Sequence, residues 1–391
     1  MVIQAILQAL STAFDMLWEV FWPLALGFIL SAIVQTLVSR RAVERALGSD
    51  SPRSLGLATL FGAASSSCSY AAVAIARSLF RKGASFSAAM VFEFASTNLV
   101  FELGLIVVIL LGWSFVGAEF AGGLLMIVIL ALLFRWTLKP AMVEEARRQV
   151  ERGRRGRMEG HAEMDMSITE GPFLARLFSG RGLTAISHNF WGDVTAVWTD
   201  IGLGLLIAGA LAAWVPTSFW QSFFLTSHPV LSQVWGPLIG PVISLLSFVC
   251  SVGNVPLAAV LWNGGISFGG VIAFIFADLI IIPIVDIYRK YYGWRMALYL
   301  LLVSYAAMAL AGLAIGLIFQ GLGFVPAHHP VTSLVAGPTL NYTSVLNVIF
   351  LLILAVLGWR FLRTGGPEML RRMEAPPTTA DDAAAQHHHH H

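Results

Sequence analysis

Charge is what this sequence has least of. Asp, Glu, Lys and Arg together make up 12% of its 391 residues, about half the share in an ordinary soluble domain. Such scarcity excludes a disordered chain and a nucleic-acid binder, which both depend on charge. It also argues against a water-soluble globular enzyme. Cysteine is nearly missing: Cys68 and Cys250 are the whole complement, too few for a disulfide framework. No Gly-x-x-x-x-Gly-Lys-Ser/Thr loop occurs, and no His-Glu-x-x-His, so neither Walker-type ATP binding nor the helical zinc-protease arrangement is expected. No cofactor and no metal site is expected either.

Apolar residues take the place of the missing charge. The chain is 57% hydrophobic with a mean hydropathy of +0.76, and apolar runs long enough to cross a bilayer recur from Ala5 to Leu362. The fold class that follows is an all-α polytopic membrane protein. Met1 to Val38 has no basic n-region and is expected to remain as a first helix. At the other end, residues 364–391 read as a disordered tail closed by a purification tag, His387 to His391.

The positions of the charges select a topology. The strongest apolar runs are Leu17–Val38, Ser54–Phe80, Phe86–Leu111, Ser114–Trp136, Val194–Val215, Trp235–Trp262, Ile266–Ile287, Trp294–Phe319 and Thr343–Leu362. If all nine crossed, the loop with Arg40, Arg41, Arg45 and Arg53 and the loop with Arg77, Arg81 and Lys82 would face opposite sides, breaking the positive-inside rule. Two runs have polar or glycine-rich centres: Ser65-Ser66-Ser67-Cys68-Ser69 in the first, and Cys250-Ser251-Val252-Gly253-Asn254 in the second. If each turns back as a re-entrant hairpin, and the N-terminus is outside, all 24 Lys and Arg fall on one side. The expectation is therefore seven spanning helices plus two re-entrant hairpins, N-out and C-in.

Aligning Cys68 with Cys250 shows an internal repeat. Ser65, Ser69 and Val73 meet Ser247, Ser251 and Val255; Gly83 meets Gly265; Ser85-Phe86 meets Ser267-Phe268; Phe92, Phe94 and Ala95 meet Phe274, Phe276 and Ala277. In the expected topology the hairpins enter from opposite sides, so the repeats are inverted, the architecture of secondary transporters. The expected organisation is a first repeat over 1–136 with its hairpin at 54–82, and a cytoplasmic or interfacial linker over 137–193. A second repeat follows over 194–320 with its hairpin at 235–262, then an outer loop at 321–341 and a last helix at 342–363. Within the linker, Phe173 to Phe190 is expected to lie on the inner surface as an amphipathic stretch.

Broken backbone at membrane depth is tolerated only inside protein or beside a water-filled cavity. The hairpin tips are thus the expected substrate site: Ser65, Ser66, Ser67, Cys68 and Ser69 in one, Cys250, Ser251 and Asn254 in the other, with Asn98 from the interrupted helix that follows the first. A thiol at each tip suits a soft, thiophilic species; against this, a lone membrane cysteine is usually a small buried hydrophobe. Glu93, Glu102 and Asp278 are acidic groups at membrane depth and the candidates for proton coupling; pairing with Ser or Thr inside the bundle is the plainer role for each. Asp193 is expected to start the helix that follows it, and His161 and His188 to be solvated or interfacial loop residues. His228, His328 and His329 are placed in outer loops. Gly312 and Gly316 form a helix-packing pattern. Tryptophans at run ends, among them Trp22, Trp113, Trp136, Trp214, Trp235, Trp262, Trp294 and Trp359, are expected in interfacial belts.

The stretch Gly62-Ala63-Ala64-Ser65-Ser66-Ser67-Cys68-Ser69-Tyr70-Ala71-Ala72, followed by Ser78-Leu79-Phe80-Arg81-Lys82-Gly83-Ala84 and Ala95-Ser96-Thr97-Asn98-Leu99-Val100, resembles the bacterial ArsP-like permeases. That resemblance implies a multi-pass protein of the bacterial inner membrane. It implies export of trivalent organoarsenicals such as methylarsenite, with Cys68 and Cys250 at the positions of the family's functional cysteines. Members of the family carry a denser cysteine motif at the first hairpin, where this chain has Ser-Ser-Cys-Ser. Two thiols allow two-thiolate capture only if the tips meet. The partners expected are a small-molecule substrate, protons as coupling ion, the lipid bilayer and, as an option, a second copy of the chain. A permease for another small anion, a membrane thiol oxidoreductase and a structural subunit are the competing readings.

Overall fold

The computed structural model describes residues 2–37, 47–65, 69–81, 83–151, 173–247, 251–326 and 342–374. These residues form helices joined by short turns, and no strand occurs among them. In chain order the helices are α1 (Val2–Leu37), α2 (Pro52–Ser65), α3 (Ser69–Arg81), α4 (Phe86–Asn98), α5 (Phe101–Leu110), α6 (Trp113–Thr137), α7 (Pro140–Glu151), α8 (Phe173–Phe178), α9 (Gly180–Trp214), α10 (Thr217–Phe223), α11 (Pro229–Ser247), α12 (Ser251–Asn263), α13 (Phe268–Phe276), α14 (Ile282–Tyr292), α15 (Trp294–Gly321), α16 (Tyr342–Arg363) and α17 (Gly366–Glu374). A single 3-10 turn, Ala277–Leu279, stands between α13 and α14. Among the described residues five stretches are long and apolar enough to cross a bilayer, and up to seven if each of two bent pairs counts as one span.

The first polar centre falls between two described helices, whereas Ser251–Asn254 of the second, expected as a break, form the first turn of a helix. α2 ends at Ser65 and α3 begins at Ser69; α11 ends at Ser247 and α12 begins at Ser251. The limbs are unequal. α11 has 19 residues, starting at Pro229 rather than Trp235, and is by itself long enough to span, whereas α2, α3 and α12 have 14, 13 and 13.

The helices after each hairpin are broken alike. Between α4 and α5 the chain passes through Leu99 (φ −118°, ψ 34°) into extended Val100 (φ −105°, ψ 144°). Between the 3-10 turn and α14 it passes through Ile280 (φ −115°, ψ 8°) into Ile281 (φ −58°, ψ 148°), with Pro283 then occupying the first turn, where a missing N–H costs nothing. The two halves of the second pair meet at 41°. Ser85 and Ser267, which precede the two broken helices, have nearly the same backbone angles (φ −66°, ψ 152° and φ −64°, ψ 154°). Gly83 and Gly265 both turn with positive φ, +107° and +98°.

Missing side chains set how closely the helices cross. A methyl group at Gly269 of α13 would overlap the carbonyl of Gly312 on α15, and one at Gly312 would lie 2.6 Å from the carbonyl of Gly269. One at Gly316 would lie 2.9 Å from the Cα of Gly269. The Gly312–Gly316 pattern therefore marks a backbone-to-backbone contact.

Several details differ from the sequence reading. α1 begins at Val2, not Leu17, and bends by 50° between Ile3–Trp18 and Val20–Leu30. Two causes coincide there. Pro23 has no N–H to give, and the side chain of Asn347 from α16 is inserted into the ladder. Its Nδ2 donates to the carbonyl of Trp18 at 2.7 Å, and its Oδ1 accepts from the N–H of Trp22 at 3.1 Å.

α9 begins at Gly180, capped by the Ser179 hydroxyl, and runs 35 residues without interruption. Asp193 is therefore buried inside a helix instead of starting one. The stretch expected on the inner surface is split: α8 ends at Phe178, while Ala185, Ile186 and Phe190 are buried. His188 is a buried helical residue, 2.8 Å from the Thr364 hydroxyl. The polar side chains of this segment explain the difference. Ser187 donates to the Leu357 carbonyl at 2.7 Å, and Asn189 donates to the Thr36 hydroxyl at 3.2 Å, so its polar groups find partners on α16 and α1. Trp113, Trp136, Trp214, Trp294 and Trp359 are exposed, as belts require, but Trp262 is buried against Phe115 and Phe268.

Candidate functional site

The two breaks and the start of α3 converge on one side chain. Asp278 sits in the 3-10 turn and is fully buried. Its Oδ2 accepts from the Ser69 hydroxyl at 2.7 Å, and its Oδ1 from the Asn98 amide at 3.4 Å. Ser69 opens α3, and Asn98 is the last residue of α4. One carboxylate therefore ties the start of α3, the break of one helix pair and the break of the other. α11 and α12 also pack against the 3-10 turn. The segment folds this way because extended Val100 and Ile281 interrupt the helical ladders, leaving short polar side chains to satisfy what the backbone cannot.

A second buried carboxylate lies further along α4. Glu93 accepts through Oε1 from the phenol of Tyr288 on α14, while its Oε2 has no hydrogen-bond partner. Tyr288 stacks on Tyr292 with ring centroids 6.2 Å apart. Arg77 of α3, also buried, lies over the Tyr291 ring at 4.3 Å. A polar column thus runs from Arg77 and the tyrosines of α14 through Glu93 to Asn98, Asp278 and Ser69.

Asn254 has another setting. Its Nδ2 donates to the Ser244 hydroxyl at 3.0 Å, and its Oδ1 accepts from Ser247 at 3.4 Å, so it links α12 to α11. Ser247 also donates to the Ser244 carbonyl at 2.8 Å. Glu102, in the first turn of α5, lies apart from Asp278, against α1, where Gly27 leaves room for its Cβ. Ser65 closes α2 and is half-buried. Ser66, Ser67, Cys68 and Cys250 lie outside the described residues, as do His161, His328 and His329, and the side chain of Ser251 is not described. His228 is exposed. Among the described residues no group of three or more His, Cys, Asp or Glu is placed to hold a metal ion.

Three functional candidates were not singled out by sequence. Glu119 is a buried carboxylate in the second turn of α6, inside a 25-residue apolar helix; a lone acid in such a run is itself the signal. Tyr288 is detectable only once α14 is laid beside α4. Arg77 reads as a loop-flanking cation in sequence, yet it is buried.

Apolar helices long enough to span, two helix pairs broken at depth and a buried polar centre between them define a multi-pass membrane transporter. The comparisons give the family. Its model, described as predicted permease, matches residues 5–317, and the chain belongs to this ArsP-type permease family. A Mycobacterium tuberculosis protein named "Putative permease Rv2963" is 58% identical over 338 residues, 86% of this chain and 83% of the relative. An Escherichia coli K12 protein, "UPF0718 protein YraQ", is 25% identical over 191 residues, about half of each chain (49% and 48%). No solved structure matches the chain.

Proposed function

We propose that this permease is a secondary active transporter of the bacterial inner membrane, built as two inverted repeats of seven spans and two re-entrant hairpins, N-out and C-in. Substrate binds near the bilayer midplane between the hairpin tips, and the repeats move against each other for alternating access. The observation that carries this reading is Asp278: a buried carboxylate at the break of one repeat, bonded to Ser69 of the other repeat's hairpin and Asn98 of its break. Such a junction can exist in only one arrangement at a time. Protonating Asp278 weakens its hold on two donors, which couples a proton to the relative position of the halves. Glu93, held by Tyr288, serves the same coupling, and Glu102 offers a third acidic group toward α1.

For the substrate, the thiols at Cys68 and Cys250 favour a trivalent organoarsenical or a related thiophilic species. The test is methylarsenite accumulation by everted vesicles. Cys68→Ser together with Cys250→Ser is expected to reduce it at least tenfold, and wild-type accumulation by the double variant would remove the soft-ligand reading. Transport of a different small anion, insensitive to thiol blocking, is the second reading; the hydroxyl- and amide-rich surroundings of Ser69, Asn98 and Asn254 favour it, and the same vesicles distinguish the two. In that case Asp278 keeps its role and the cysteines only pack.

A further inference from the structure

Glu119 has no place in the junction just described, yet it is a fully buried acid whose polar atoms are left unsatisfied. It is 1% exposed, and neither carboxylate oxygen has a hydrogen-bond partner. An ionised carboxylate left so costs several kcal/mol, whereas a carboxylic acid is tolerable. Its surroundings follow from the helix face. One turn on, the Cβ position of Gly122 lies 3.2 Å from the Phe276 ring, and that of Gly123 lies 2.7 Å from Leu99 and 3.5 Å from the Asn98 carbonyl. The face of α6 that carries Glu119 therefore packs over both broken helices, beside Asn98 of one and two residues short of Asp278 in the other.

One turn back, toward which a helical side chain leans, Phe115 packs against Trp262 at 5.1 Å and Phe268 at 4.6 Å between centroids. Those two aromatics line a cavity of about 250 Å³, together with Gln233, Ser267 and Gln320. Ser267 is a second independent sign that the cavity takes a polar guest. Its matched residue Ser85 caps its helix, accepting from the Ala88 N–H at 3.1 Å, but the Ser267 hydroxyl makes no cap bond and is buried without a partner.

We propose that Glu119 is a proton carrier of the permease, exchanging protons between this cavity and Asp278; this rests on the coupled-transport reading above. A hydronium ion in the cavity breaks one of its O–H bonds to give its proton to a Glu119 carboxylate oxygen, leaving water; that new O–H later breaks as the proton passes to the Asp278 carboxylate, directly or through a water, and Glu119 is again a carboxylate. No electron changes hands. A metal cation fits poorly here, because it would need about six oxygen ligands and Glu119 is flanked along its buried face by Phe115, Gly122 and Gly123. The titratable groups on the elements packed against α6 are few. Asp278 lies in the 3-10 turn that follows α13; Glu93 on α4 is bonded to Tyr288; Glu102 on α5 turns to α1; α13 carries none. On α15, Arg295 is exposed near Glu145, while the Tyr299 and Tyr305 hydroxyls are held by Thr137 and the Leu238 carbonyl.

The experiment is infrared titration of the purified protein in nanodiscs, wild type against Glu119→Gln, with Glu119→Asp as the conservative variant. A protonated-carboxyl band that shifts in D2O is expected in wild type and Glu119→Asp and absent from Glu119→Gln. Identical spectra for wild type and Glu119→Gln at every pH overturn the proposal. In everted vesicles supplied with methylarsenite, Glu119→Gln is expected to lose at least tenfold of the accumulation driven by an imposed pH gradient, with Glu119→Asp restoring part of it. Wild-type gradient dependence in Glu119→Gln also overturns it. If even wild-type vesicles accumulate no methylarsenite, the substrate reading fails while the infrared comparison still decides Glu119.

Discussion

At the scale of single residues, the interior spends its few polar side chains in pairs. Glu93 and Tyr288 belong to different broken helices, so their hydrogen bond is a joint between α4 and α14 as well as a means of burying an acid. A buried hydrogen bond of this kind contributes about 0.5–1.5 kcal/mol net, and leaving its partner unsatisfied costs about 1–3 kcal/mol. Tyr288→Phe leaves Glu93 short of a donor and is expected to lower the unfolding midpoint. Glu93→Gln, which can still accept, should cost less. The double variant should recover part of the combined loss, with a coupling of about 1–3 kcal/mol; strict additivity in thermal unfolding would show that the two side chains do not act together.

Sequence reasoning reached Glu93, Asn98, Ser69 and Asp278 because each is polar in an apolar run. It could not say that the last three meet, since a contact between positions 69 and 278 depends on how helices stack. It passed over Glu119 for a simpler reason: α6 is so strongly apolar that one acid scarcely disturbs its average.

At the scale of elements, backbone proximity rather than side-chain bulk fixes the second half of the molecule. Because α13 and α15 touch through Gly269 and Gly312, even the smallest side chain must push the helices apart. Gly269→Ala is expected to destabilise by about 1–3 kcal/mol, the usual cost of overpacking, read as a lower unfolding midpoint in detergent. Gly48, with no atom within 4 Å of its Cβ position, is the matched control, and Gly48→Ala should leave the midpoint unchanged.

Element boundaries show where local signals suffice. The polar residues at Asn98 and Asp278 interrupt their apolar runs, and the helices break beside both. The start of α9 was missed because Asp193 resembles a cap, while the true cap, Ser179, lies fourteen residues earlier behind a glycine. What extends the helix is burial of Ile186 and Phe190 and the bonds of Ser187 and Asn189, all supplied by distant partners.

At the scale of the whole molecule, α16 binds the ends of the chain together. It meets α9 through Ser187 and through Arg360, which donates to the Thr184 hydroxyl at 3.0 Å; it meets α1 through Asn347. His188 adds to this assembly, edge-on to Phe361 and beside Thr364. Its position precedes the apolar part of α9, outside the spanning segments, and burial holds its imidazole below the usual value of 6.5. The sign follows from linkage. Above the ordinary value both states are neutral and stability is complete; as pH falls, the unfolded chain takes up its proton first, so stability is lost. Thermal unfolding from about pH 7 to about pH 5 is expected to show a steeper loss for wild type than for His188→Gln. Equal slopes would place the acid sensitivity elsewhere.

The insertion of Asn347 into α1 has a temporal meaning. The amide that splits the Trp18–Trp22 bond lies 325 residues downstream of Trp22. A chain synthesised from its N-terminus makes its first helix long before the residue that bends it exists. Until α16 arrives, the Trp22 N–H can return to the Trp18 carbonyl, and only Pro23 marks the future bend. α1 thus takes its final course only after a segment more than three hundred residues downstream has been made, and the arrival of α16 is recorded in its shape.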